Sequence, residues 1–186
     1  MTYQKRDAHI IDYHIYNFNG IELRGPRIDL KKPYIACVGA AQTFGPFCKN
    51  PFPILLAEKL GVQTLNLGLG GAIPSQFINR TLLKAINRSK LAVVQVLSGR
   101  CGSNSRYTTI ANQVGIKHDN NTIASPAVFW QYAEKNYGKR LFDELVEETR
   151  RDYLYKMMIL LQLIKVKKIL FYISTKKPDD LPDKMT

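Results

Sequence analysis

Few residues of this chain have both the type and the setting for chemistry. Gly39 to Gly45 (Gly-Ala-Ala-Gln-Thr-Phe-Gly) follows a short apolar run, Tyr34 to Val38, and precedes a helix expected from about Pro51. A buried strand that opens into such a turn brings backbone N–H groups to the carboxyl edge of a parallel sheet, where open α/β sheets bind ligands. Gln42 and Thr43 are its polar side chains, and Thr43 supplies the only hydroxyl. Capping the turn or the next helix competes with any role for that hydroxyl in a cleft. His118 with Asp119 is a second candidate, as a base and its orienting carboxylate, although sequence neighbours rarely face one another. Asn104, Arg106 and Tyr107 form a third group. Their amide, guanidinium and phenol would suit a carboxylate, sulfate or sugar, or would pin a long loop to the sheet. Ser98, at a strand end, reads as structural.

The elements that must position these residues follow from periodicity. Tyr13 to Phe18 and Ile21 to Arg24 flank Asn19-Gly20, a strong hairpin signal because a type I′ turn needs positive φ twice. His9 and His14 read as surface residues there. Phe52 to Leu60 has helical spacing, with Pro51 and Pro53 in the first turn and Gly61 as the stop. Val62 to Leu67 reads as a strand closed by Gly68 to Ala72. A helix follows through Phe77, Ile78, Leu82, Leu83 and Ile86. Leu91 to Leu97 is nearly all apolar, as in a strand buried on both faces. The stretch from Ser98 to about Pro126 is polar and irregular, a length usually reserved for functional loops. A short helical piece is expected at Phe129 to Tyr132, a long helix over Leu141 to Ile164, and a fourth core strand over Lys168 to Ser174.

At 186 residues, 45% of them hydrophobic, the chain can bury one core. Lys and Arg number 27 against 15 Asp and Glu, a formal net charge of +12. No aromatic-interleaved basic stripe accompanies that excess, so it reads as solvated surface with nucleic acid disfavoured; a small anionic ligand suits a few convergent arginines better. Met1 to Arg6 is polar and unlike a signal peptide, and no window is apolar for long enough to span a bilayer. A cytoplasmic location is expected. Cys37, Cys48 and Cys101 are odd in number and lack metal-ligand spacing, so no disulfide framework, metal or cofactor is expected.

Three strand-end blocks carry a family resemblance. Gly39 to Gly45 and Asn66 to Gly71 resemble the first two blocks of the SGNH (GDSL) hydrolases. Arg24-Gly25-Pro26, Thr43-Phe44-Gly45, Pro51-Phe52-Pro53 and Ser103-Asn104 together resemble an uncharacterised bacterial family of SGNH-like proteins. The resemblance covers roughly residues 34 to 104. It implies a three-layer, flavodoxin-like α/β fold with parallel strands in order 2-1-3-4 and a fifth strand usual in the family but missing here. It aligns Gly71 with the oxyanion-hole glycine, Ala41 with the nucleophilic serine and Ala40 with the Asp before it. No Asp-x-x-His follows, since the last histidine is His118. Loss of nucleophile and base normally costs orders of magnitude in rate.

The expected organisation is an N-terminal hairpin extension over 1–33, an SGNH-like α/β domain over 34–175 and a charged tail over 176–186. The expected function is that of a degenerate, polysaccharide-related member, a pseudoenzyme. It would recognise a carbohydrate or small anionic ligand through Gly39, Ala41, Gln42, Thr43, Gly70, Gly71, Asn104, Arg106 and Tyr107, without ordinary Ser esterase turnover. Two alternatives stand beside it. One is an active ester hydrolase or acyltransferase with a non-standard site at Thr43 or His118. The other is a sulfotransferase-like or nucleotide-phosphate binder using Gly39 to Gly45, which lacks the Gly-Lys-Ser/Thr ending of a Walker A loop. Oligomeric state does not follow from the sequence.

Overall fold

A computed structural model describes residues 9–111 and 114–173. β1 (Tyr16–Phe18) and β2 (Ile21–Leu23) pair antiparallel through Asn19 and Gly20. Their φ angles of 51° and 88° are what a type I′ turn demands. β3 (Tyr34–Gly39) leads into a single-turn helix, α1 (Ala41–Phe44), then α2 (Phe52–Leu60) and β4 (Gln63–Gly68). A 3₁₀ turn at Pro74–Ile78 precedes α3 (Arg80–Arg88) and β5 (Leu91–Gln95), and a second one follows at Gly99–Cys101. The chain then forms β6 (Tyr107–Ala111), β7 (Val114–Lys117), β8 (Thr122–Ala124), α4 (Pro126–Asn136), the long α5 (Lys139–Leu163) and β9 (Lys168–Phe171).

The expected fold class is overturned by this arrangement. In place of one flavodoxin-like parallel sheet there are three sheets: the β1-β2 hairpin, a four-stranded parallel sheet ordered β4-β3-β5-β9, and an antiparallel sheet ordered β6-β7-β8. The antiparallel sheet occupies much of the stretch expected to be irregular. Its alternation is disguised in the sequence: Tyr107 and Thr109 point inward while Thr108 and the apolar Ile110 face solvent. A threonine inside and an isoleucine outside defeat a pattern search for period two. Helix α4 runs over 11 residues, well beyond the short piece expected. Its start is written in Ser125-Pro126, where the Ser125 hydroxyl accepts from the Val128 N–H and proline takes the first turn. The charged tail expected over 176–186, and Ser174 at the end of the last expected strand, lie outside the described residues.

Two apolar cores result. Ala36, Val38, Leu65, Leu67, Ala92 and Val94 point from the parallel sheet against Phe77, α3 and the carboxyl half of α5 (Met157, Leu160). Tyr107, Ala124, Phe129, Trp130, Ala133, Leu145 and Val146 make the second, under the antiparallel sheet. Helix α5, 25 residues and about 37 Å long, serves both. The opposite face of the parallel sheet meets α1 and α2, where the Thr64 hydroxyl donates to the Pro53 carbonyl (2.7 Å). Among the described residues no helix is long and apolar enough to cross a membrane.

Burial separates the cysteines. All three are free; Cys37 and Cys101 are buried and Cys48 is exposed. Burial pushes the Cys37 thiol up to about 12. It also raises the Cys101 thiol, against the opposing influence of Arg100. Thiolate is the reactive form. Titration of native protein with a chromogenic disulfide at pH 8 is expected to show one fast thiol, removed by Cys48→Ser. Two or three fast thiols would contradict this packing.

Candidate functional site

The rim at the carboxyl edge of the parallel sheet is organised by a side chain from β5. Gln95 is almost fully buried, and its Oε1 accepts from both the Ala40 N–H (3.0 Å) and the Thr43 hydroxyl (2.9 Å). Its Nε2 donates to Gln42 Oε1 (2.8 Å). Asn66, from β4, donates to the Thr43 carbonyl (3.0 Å) and accepts from the Gly68 N–H (2.8 Å). The Leu69 N–H donates to the Gly39 carbonyl (3.0 Å). A Cβ on Gly39 would lie 2.5 Å from Gln95 Oε1, so glycine is what lets the glutamine approach.

Gly39, Ala41, Gln42, Thr43 and the Gly70-Gly71 turn are therefore brought to one rim. Their roles differ from a hydrolase's. Thr43 is fully buried and its hydroxyl is spent on Gln95, so it reads as the pin of the turn. Gln42 is exposed, with its Oε1 held by the Gln95 amide.

The same loop is gripped from below by Arg24, which is 2% exposed. Its Nη1 donates to the carbonyls of Phe44 (2.9 Å) and Gly45, and its Nη2 to those of Cys48 (2.5 Å) and Lys49 (3.1 Å). The guanidinium lies 4.8 Å from the Tyr13 ring centroid and 5.5 Å from that of Phe44. Burial lowers its pKa from the ordinary arginine value, yet at that starting point it stays charged. Four carbonyl dipoles and two ring faces take the place of a counter-ion.

Asn104, Arg106 and Tyr107 are used elsewhere. Asn104 donates to the Thr149 hydroxyl on α5 (2.9 Å) and accepts from the Arg106 N–H (2.9 Å). Arg106 pairs with Asp119 (3.2 Å). The buried Tyr107 hydroxyl donates to the Ala124 carbonyl (2.9 Å). None of these bonds reaches the Gly39–Gly45 or Gly68–Gly71 turns; that of Asn104 ties the loop to α5, and those of Arg106 and Tyr107 hold the antiparallel sheet together. His118 is not oriented by Asp119, whose carboxylate is taken by Arg106 and the Tyr137 hydroxyl. Its Nδ1 lies 3.0 Å from the Ser105 carbonyl and its Nε2 2.9 Å from the Thr108 hydroxyl. A carbonyl can only accept, so Nδ1 carries the proton and Nε2 accepts from Thr108.

Gln95, Asn66 and the Arg24 grip are the residues sequence reasoning missed as parts of the site. A glutamine at the end of an otherwise apolar strand was the available signal, since a buried amide needs partners. Two concavities lie away from this rim. One, of about 470 Å³, sits where Ile10 and Ile11 face Arg24, Lys49 and Ile54. The other, of about 340 Å³, runs along α3. Among the described residues no group of three or more His, Cys, Asp or Glu is placed to hold a metal ion.

No curated protein matches the chain. Residues 1–112, which include the Arg24 grip, Gln95 and both rim turns, match the model of a domain family of unknown function, DUF6473. With more than half of its 186 residues covered, the chain belongs to that family.

Proposed function

We propose that this chain is a cytoplasmic, SGNH-like ligand-recognition domain. It would hold a carbohydrate or small anionic ligand at the carboxyl rim of the parallel sheet, without Ser-type ester turnover. Gln42 is the observation that carries the reading. The residue is exposed at the rim and its carboxamide oxygen is fixed by the buried Gln95, so the N–H₂ is the end free to meet a ligand. A pre-positioned amide is a good partner for a sugar hydroxyl or a carboxylate, because little rotamer entropy remains to be lost. Ala41 beside it has no nucleophilic group, and Thr43 is buried. Saturation-transfer NMR against N-acetylglucosamine, glucuronate and acetylated sugars checks this. Gln42→Ala is expected to weaken the best of these about tenfold, the ~1.4 kcal/mol of one neutral hydrogen bond. Binding unchanged by Gln42→Ala and Gln95→Leu would sink the assignment.

One specific geometry favours a second reading. Thr108, His118 and the Ser105 carbonyl line up as hydroxyl, imidazole and orienting acceptor, the relation an activated nucleophile needs. Robust hydrolysis of p-nitrophenyl acetate, abolished by His118→Ala and by Thr108→Val, would replace the non-catalytic reading with an ester hydrolase of non-standard site.

A further inference from the structure

Helix α3 reads Arg80-Thr-Leu-Leu-Lys84-Ala-Ile-Asn-Arg88 and contains no acid. Its three cations recur every fourth residue, so they share one face, opposite the buried Leu82, Ala85 and Ile86. Like charges at that spacing destabilise a helix. On α5 the problem is solved locally: Lys139, Arg140, Arg150 and Lys156 each pair with a carboxylate three or four residues away. On α3 no cation has a carboxylate partner among the described residues. The row is thus kept at a cost to the helix.

The row also faces something. Arg80, Lys84 and Arg88 line a groove of about 340 Å³ whose other wall is the hairpin tip, Phe18 and Asn19, and whose floor includes Tyr34. The Tyr34 hydroxyl donates to the Ala85 carbonyl (2.6 Å), which ties the floor to α3. Leu30 lines the groove as well, and no carboxylate does. A concave surface lined by charges of one sign concentrates its potential. Successive cations stand about 6 Å apart along the helix axis, too far for one phosphate to satisfy all three.

We propose that this groove is a second binding site, distinct from the rim, for a small ligand that carries two or more phosphate or sulfate groups beside an apolar or ring portion. The anionic groups would lie along Arg80, Lys84 and Arg88, and the ring against Phe18 and Leu30. A volume of this size fits a small molecule rather than a polymer.

Calorimetric titration of the full chain with pyrophosphate and with ADP, at constant ionic strength, tests it. Both are expected to bind at one site, ADP the tighter because its ring adds contact. Arg80→Gln with Lys84→Gln is expected to weaken both at least tenfold. The same pair of changes at Lys139 and Arg140 is expected to alter affinity less than twofold. The α3 variant should also melt no lower than the parent, since it relieves repulsion. Equal losses in both double variants would show only the general field of a basic protein and overturn the proposal. So would no binding at millimolar probe, or an oligothymidylate that binds more than tenfold tighter than ADP. Gln42→Ala leaves these titrations unchanged, so failure here and failure at the rim are separable.

Discussion

Arg24→Ala is expected to destabilise the protein by about 3–5 kcal/mol, the range for removing one side of a buried, charged hydrogen-bond set. The guanidinium serves four carbonyls between Phe44 and Lys49, of which, among the described residues, only that of Gly45 has a second donor, the Cys48 N–H (3.2 Å). Alanine would take this donor from all four carbonyls, leaving Gly45's alone with a partner, and would open an empty slot between Tyr13 and Phe44. For a chain of this length the loss corresponds to a fall in melting temperature on the order of 10 °C. Arg24→Met separates the causes, because it keeps an apolar stem between the two rings while deleting every donor. Arg24→Lys should recover only part of the loss, since an ammonium cannot reproduce a planar fork spread over four acceptors. The measurement is thermal and urea unfolding of the three variants. A loss below about 1 kcal/mol for Arg24→Ala would mean that the loop holds itself and that the grip is incidental.

That prediction bears on the rim as well as on stability. Residues 45–50 connect α1 to α2 without regular structure, and the carbonyls of Gly45, Cys48 and Lys49 accept from Arg24, just past the hairpin. The β1-β2 arm is therefore a brace for the site and not an appendage. Gly25 reinforces it by donating to the Tyr13 carbonyl (3.1 Å). Sequence reasoning found the arm through Asn19-Gly20, because turn chemistry is local and needs no knowledge of partners. It could not find the use of Arg24, because the acceptors lie 20 or more residues away along the chain.

The same division between local and distant explains the rest. Three strands of the parallel sheet, β3, β5 and β9, announce themselves by short apolar runs, and β4 by its Leu65 and Leu67 before glycine. The antiparallel sheet hides, because Thr109 is buried where an apolar residue is expected and Ile110 is exposed where a polar one is. Asn104, Arg106 and Tyr107 have the right types for a ligand site, yet their neighbours on α5 and in the antiparallel sheet consume them. Residue type is visible in a sequence; whether a polar group is already spoken for is not. In sequence the Arg80-Lys84-Arg88 row likewise reads as solvated surface, because only its position on α3 opposite the hairpin tip sets it apart.

Gly68→Ala is expected to be the most damaging single change at the rim. A Cβ at this position would collide with the Phe44 amide nitrogen, and would lie 2.5 Å from Phe44 Cα and 2.6 Å from the Thr43 carbonyl carbon. These are backbone atoms, so no rotamer change relieves the overlap. Either β4 or the Thr43-Phe44 turn must move. Movement of the turn pulls the Thr43 carbonyl from Asn66 and the Thr43 hydroxyl from Gln95, both of which are buried. Overpacking of this kind costs up to about 3 kcal/mol, and each buried partner left unpaired adds roughly 1–3 kcal/mol. Gly61→Ala is the matched control. It replaces a glycine that, unlike Gly68, has a positive φ (62°), but nothing lies within 4 Å of its would-be Cβ. It should therefore cost only the roughly 1–2 kcal/mol of left-handed backbone strain. If the two variants unfold at the same denaturant concentration, the close approach of β4 to the Thr43-Phe44 turn does not hold the rim together. The Gln95-Thr43-Asn66 network would then be a consequence of the packing around it. If Gly68→Ala alone collapses and Gly61→Ala does not, the rim is assembled by backbone proximity first and by side-chain bonds second. In that case Gln42 can be varied freely for ligand studies without disturbing the frame that presents it.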